Sequence, residues 1–234
     1  TAVDIIHKTA VDVRVDPNLR DYERTRAEFA WSDVPELCDG MGDAGCNIAY
    51  AAVDRHADGP DAARTALRFI EDTGTTELVT RDVSYAELGR LTRRFTNVLR
   101  SLGIGKGDRV FLIMGRVPEL YISMLGALRN GSVVSPLFSA FGPEPIATRV
   151  TIGSASVIVT TAAIYKRKIA KIRDQLTSVQ HVLVVGGDDT EIPGTLNFHR
   201  LMDEAGDDAP IEHTTADDPS LLHFTSGTTG TPKG

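Results

Sequence analysis

Apolar residues in this chain fall into short unbroken runs, and the stretches between the runs carry helical spacing. Val110-Phe111-Leu112-Ile113-Met114 is apolar throughout, as expected of a strand covered on both faces. Leu78 to Val83, Val133 to Leu137, Val157 to Thr160 and Val182 to Val185 predict further strands. Leu88, Leu91, Phe95, Val98, Leu99 and Leu102 recur at helical spacing. Ser84-Tyr85-Ala86-Glu87 stands before them as a capping box, in which the Ser accepts from the third amide and the Glu reaches back. Gly103 suits the left-handed stop. Gly105-Lys106-Gly107-Asp108 predicts a turn, Pro118 the first turn of the next helix and Gly131 its end. A short helix with Ile146 and Val150 inward follows, then a Lys- and Arg-rich helix over Ala163 to Leu176. Leu221 to Phe224 predicts a last strand. Strand and helix alternate, which is the signature of an α/β fold with a mostly parallel sheet flanked by helices.

The first stretch, to about Asp58, has few strand-like runs. Asp21 to Trp31 mixes charges with Tyr22, Phe29 and Trp31. Asn47 to His56 predicts a helix capped by Asn47, with Ile48, Ala51, Ala52 and Arg55 on one face. Gly59-Pro60-Asp61 is a break. Residues 1–60 therefore read as a mainly helical N-terminal extension packed on the rest, and residues 61–234 as an α/β subdomain. Asp203 to Asp218 is rich in carboxylates and reads as a solvated acidic linker.

Composition narrows the partners. The chain has 234 residues, 41% of them hydrophobic and 24% charged, which is globular. Its net charge of −7 argues against a nucleic-acid binder, which needs a basic footprint. Cys38 and Cys46 lack CxxC spacing, so no disulfide scaffold or metal ribbon is implied. No stretch is apolar for long enough to span a bilayer, and none reads as a secretory leader. The expectation is a cytoplasmic protein without membrane or nucleic-acid partners.

The chemistry concentrates in Thr225-Ser226-Gly227-Thr228-Thr229-Gly230-Thr231-Pro232-Lys233-Gly234. The glycines let backbone approach a ligand closely and adopt positive φ. Successive amides can then form an anion-binding nest. The hydroxyls add donors, and Lys233 adds a positive charge. An apolar run feeds directly into these residues, and together they describe a polyphosphate cradle. It is not a Walker A loop. Counting from Gly227, Pro232 stands where that motif needs glycine, and Gly234 stands where it needs a hydroxyl.

The run resembles the phosphate-binding signature of the adenylate-forming superfamily, which comprises acyl-CoA synthetases, luciferases and adenylation domains of peptide synthetases. Every position from Thr225 to Gly234 fits. Asp54-Arg55-His56, Gly107-Asp108-Arg109-Val110, Pro118-Glu119-Leu120 and Pro136 to Glu144 extend the resemblance, and they point to AMP-forming acetyl-CoA synthetases. Such enzymes join a carboxylate to ATP, release pyrophosphate and pass the acyl group to coenzyme A. The resemblance implies that Ser226, Gly227, Thr228, Thr229 and Gly230 hold the β- and γ-phosphates. Thr225 would approach them and Mg²⁺, and Lys233 would add charge. The family's adenine-binding motif, ribose-binding Asp, hinge and C-terminal lysine domain have no counterpart in these residues. The resemblance therefore implies an N-terminal part whose partner is the remainder of the same enzyme, inactive alone, with no catalytic residue of its own identified. It leaves a homo-oligomer open.

Lys166, Arg167 and Lys168, with Lys171 and Arg173, form a basic cluster near a helix start. The residues alone read as a solvated helix face. The resemblance adds coenzyme A phosphate as a target for Lys166, Arg167 and Lys168. His56, His181, His199, His213 and His223 show no metal-ligand spacing. Asp54-Arg55-His56 cannot converge on one point of a helix, so these residues read as a structural tie such as an ion pair. Two other functions stay open: an adenylate-forming ligase for aromatic or medium-chain acids, and a non-catalytic interaction domain.

Overall fold

A computed structural model of the chain describes residues 19–30, 45–71, 79–186, 192–225 and 232–234. Contacts divide the chain into two units, Thr1–Asp39 and Gly40–Gly234. In the first unit, α1 (Tyr22–Glu28) starts at Asp21, whose carboxylate accepts from the Arg24 amide at 3.0 Å. Trp31 and Cys38 lie outside the described residues.

The second unit opens with a π-helical turn over Tyr50–Asp54 that runs into α2 (Arg55–Ala57). Asn47 caps it as expected, its Oδ1 accepting from the Ala49 amide at 3.0 Å. The inward face differs from the expected one. Ala49, Val53, Asp54 and Ala57 are buried, whereas Ile48, Ala52 and Arg55 are exposed. Asn47, which donates to Leu128 O and Glu212 O, and Asp54, paired with Arg129, turn this side inward, and a π turn in which the Arg55 amide bonds back to Tyr50 O lies between them.

The apolar pattern does not predict β1 (Thr65–Glu71), which pairs antiparallel with β2 (Val79–Ser84) as a separate two-stranded sheet. Arg68 and Asp82 form a two-bond ion pair across it. Leu78, the expected first residue of this second strand, lies outside the described residues. α3 (Tyr85–Ser101) follows, with the Ser84 Oγ accepting from the Glu87 amide at 3.2 Å.

The main sheet is built from β3 (Arg109–Ile113), β4 (Val133–Pro136), β5 (Val157–Thr161), β6 (His181–Val185) and β7 (Leu196–Asn197). All its pairings are parallel, in the order β4-β3-β5-β6-β7. Its connections are α4 (Pro118–Arg129), α5 (Pro143–Ile152) and α6 (Ala162–Arg167), and α7 (Phe198–Glu204) follows β7. The apolar runs divide by strand alternation. Val110, Leu112, Val157, Val159, Leu183 and Val185 pack into one core with residues of α3, α4 and α7. Phe111, Ile113, Ile158, Val182 and Val184 pack into a second core with Ile146, Val150, Ile164 and Ile169. The expected α/β class and the inward Ile146 and Val150 are both observed.

Three expectations need correction. The helix expected over Ala163 to Leu176 is two pieces, α6 and a 3₁₀ helix over Ile169–Gln175, broken where Lys168 leaves helical geometry. The expected acidic linker begins inside α7, whose last two residues are Asp203 and Glu204, and it holds two ion-paired carboxylates, Glu212 with Arg100 and Asp218 with Lys106. Leu221 to Phe224 is not a full strand. It makes an isolated parallel bridge, Val134 with Leu221, because ladder bonds are confined to Val134 N with Ser220 O and Leu222 N with Val134 O.

Candidate phosphate-binding site

The edge segment carries the chain to the carboxyl end of the sheet. It runs parallel to β4, so the residues after Leu222 emerge where β4 ends. In open parallel α/β sheets this end of the strands is where ligands bind. The Ser135 hydroxyl donates to Leu222 O at 2.9 Å and fixes the register there. Thr225 and Lys233 then meet across an antiparallel bridge. The Thr225 amide donates to Lys233 O at 2.9 Å, and the Lys233 amide donates to Thr225 O at 3.2 Å. The two ends of the expected cradle are thereby clasped. Ser226, Gly227, Thr228, Thr229 and Gly230 lie outside the described residues.

Around the clasp sits an aromatic cluster. Phe224 tilts against the fully buried Phe111 of β3 at 6.2 Å between ring centroids. The Arg149 guanidinium lies 4.4 Å over the Phe141 ring and 5.9 Å from that of Phe224. A Cβ on Gly153 would stand 2.6 Å from Phe111 Cζ and 2.7 Å from Leu222 Cδ2, so the close approach of the edge segment requires glycine there. A Cβ on Gly234 would stand 2.9 Å from Phe224 Cε1.

The basic cluster divides by role. Lys166 and Arg167 are exposed on α6. The Lys168 ammonium instead donates to Ser139 O at 2.6 Å and Phe141 O at 2.8 Å, holding the bend that follows β4. Arg173 donates to Leu176 O and Val179 O. His223 is exposed on the edge segment. Arg149, Gly153 and Phe224 are site residues that sequence reasoning missed. The signal was faint: Arg149 shows only i,i+4 spacing from Pro145, whose carbonyl it bonds at 3.0 Å.

Farther back along the chain, Asp218 is held by the Lys106 ammonium at 2.8 Å and by the Thr215 amide at 2.7 Å. The Lys106 contact, seconded by that amide, brings its carboxyl from 3.8 down to about 2. Asp54 is buried against Arg129, with Nε 3.1 Å from Oδ2, and also meets Arg93 at 3.2 Å. Burial pushes the Arg129 guanidinium down and Asp54 offsets part of this. The expected tie within Asp54-Arg55-His56 is thus made by Asp54 to a distant helix.

The Thr225 Oγ1 is exposed and lies 3.5 Å from Lys233 O, a weak hydrogen bond. That leaves one hydroxyl oxygen fit to approach a magnesium ion, which takes few protein ligands when nucleotide phosphates supply the rest. Among the described residues no cluster of three His, Cys, Asp or Glu could hold a metal by itself.

The family model described as "AMP-binding enzyme" matches residues 53–234. The chain belongs to the AMP-binding enzyme family. The acetyl-coenzyme A synthetase of Bacillus subtilis (strain 168) is 37% identical over 220 residues, covering 94% of this chain and 37% of that protein. The 3-hydroxypropionyl-coenzyme A synthetase of Metallosphaera sedula is 35% identical over 201 residues, covering 80% of this chain and 30% of that protein. Among solved structures, the Brucella canis acyl-CoA synthetase aligns with a TM-score of 0.75 at 29% identity, covering 91% of this chain and 37% of the other. The chain therefore spans about a third of the length of the relatives it matches. Among the described residues no helix is long and apolar enough to cross a membrane.

Proposed function

We propose that this AMP-binding enzyme chain carries the triphosphate-binding loop of an AMP-forming acyl-CoA ligase. The whole enzyme would activate acetate, or a similar short-chain acid, with ATP to an acyl-adenylate and pyrophosphate. It would then transfer the acyl group to coenzyme A. One observation carries the reading: a run of glycines, hydroxyls and a lysine, clasped by Thr225 and Lys233, springs from the carboxyl end of a parallel sheet.

Attack of a carboxylate on the α-phosphate concentrates negative charge on the departing pyrophosphate. Preorganised amides, hydroxyls and cations aimed at that charge lower the barrier. In this reading the amides and hydroxyls of Ser226 to Gly230 hold the β- and γ-phosphates, and Lys233 adds its charge. Mg²⁺, when bound with the nucleotide, supplies charge neutralisation between phosphates, and Thr225 offers it one oxygen. Lys166 and Arg167 are proposed for a coenzyme A phosphate. Lys168 belongs less to that role, because two carbonyls engage its ammonium. Residues 1–60 and 61–234 are proposed as extension and α/β subdomain, although Asn47 already bonds Leu128 O and Glu212 O of the larger part.

Titration of ATP against the longest soluble polypeptide tests the reading. Thr228→Ala with Lys233→Ala is expected to weaken binding by about tenfold or more, the scale of losing charged hydrogen bonds. Unchanged affinity sinks the proposal. Acetate is supported by the Bacillus relative, and a hydroxylated three-carbon acid by the Metallosphaera one. Acid-dependent pyrophosphate exchange by the whole enzyme, with acetate and 3-hydroxypropionate compared, separates the two.

A further inference from the structure

The family motif says what binds phosphate; it does not say what holds the motif in place. Three features converge on the root of the loop. Phe224, the residue before Thr225, has the Phe111 ring centroid 6.2 Å from its own and the Arg149 guanidinium 5.9 Å away. Arg149 is itself seated over Phe141 and bonded to Pro145 O, so its orientation is set from its own helix. Phe141 is set in turn, because Lys168 grips the carbonyls of Ser139 and Phe141. A planar cation over ring faces is attractive where water is partly excluded, and Arg149, Phe141 and Phe224 are all half-buried.

We propose that Arg149 is a positioning residue for the phosphate loop. Its guanidinium bridges Phe141 and Phe224, so it fixes the edge segment at the point where Thr225 and Lys233 close the clasp. The inference rests on the phosphate-binding reading above, and it adds a residue outside the motif on which nucleotide affinity depends. The charge matters as well as the packing. A methionine fills similar space without cation–π attraction, whereas a lysine keeps the cation and loses only the planar stack.

The test uses the 234-residue chain and two readouts. Amide hydrogen exchange at Thr225 and Lys233, the two donors of the clasp, reports the root directly and needs no ligand. Arg149→Met is expected to speed exchange at both amides by about three- to tenfold and leave the β3 and β5 amides unchanged. MgATP affinity is expected to fall by a similar factor, and Arg149→Lys to recover most of both losses. Unaltered exchange at Thr225 and Lys233 in Arg149→Met overturns the inference, and so does faster exchange spread through β3 and β5. Lys233→Ala separates the two readings. If Lys233→Ala in the longest soluble polypeptide binds MgATP as well as the unaltered protein does, the phosphate reading fails whatever the exchange data say. If Lys233→Ala weakens binding and Arg149→Met does not, only the positioning inference fails.

Discussion

Asp54 is a buried carboxylate shared by two arginines from different helices. Its side chain is 6% exposed and faces Arg129, whose side chain is 5% exposed, and Arg93 approaches from α3. Arg129 also donates to Pro210 O, so one buried guanidinium ties α4, the π turn and the segment leading to the loop. Taking both charges out of water is costly, and a buried pair is weak evidence of net stability. Removing one partner is a different matter, because the other charge is then left buried and unpaired. Asp54→Ala is expected to lower unfolding free energy by about 3–5 kcal/mol, measured by urea denaturation. A loss under about 1 kcal/mol would show that water reaches Arg129. Sequence reasoning placed a structural tie here without its partner. Asp54 and Arg129 lie far apart in sequence, and no periodicity relates them.

At the scale of elements, the segment from Thr215 to Thr225 decides where the loop stands. It has few ladder bonds, and other contacts hold it: Asp218 on Lys106, Ser135 on Leu222 O, and Leu222 against Gly153. Asp218 links this segment to the turn before β3. Its folded pKa of about 2 lies below its ordinary 3.8, so the ionised form is the one that stabilises the fold. The contribution is therefore full above about pH 4 and disappears as pH falls toward 2. Asp218→Asn is expected to be less stable than the unaltered chain at pH 7, with the gap closing between pH 4 and 2 in pH-resolved thermal melts. A gap of constant size down to pH 2 would assign the effect to packing instead. The sequence alone reads Asp203 to Asp218 as solvated, since a run of carboxylates carries no sign of which one meets a lysine more than a hundred residues earlier. Elements with local signals were legible: the Ser84 N-cap, the β3 run, Pro118 and the inward Ile146 and Val150.

For the molecule as a whole, family membership and parallel-sheet architecture stand together. The Bacillus relative has 37% of its length covered by this chain. Acetate-dependent pyrophosphate exchange by residues 1–234 alone is therefore expected at background, and clear exchange would place a complete adenylation site within them. The sequence by itself determined the α/β class, because short unbroken apolar runs alternating with helically spaced stretches fit parallel strands covered on both faces. It also carries the expectation of phosphate binding, because glycines, hydroxyls and a lysine in one short run form a local signal that needs no distant partner. The tertiary structure alone decided strand order, the π turn over Tyr50–Asp54, the break at Lys168 and the seating of Arg149 by Phe141 and Phe224. These depend on contacts between residues remote in sequence. A local pattern records what a residue offers, and packing records what meets it.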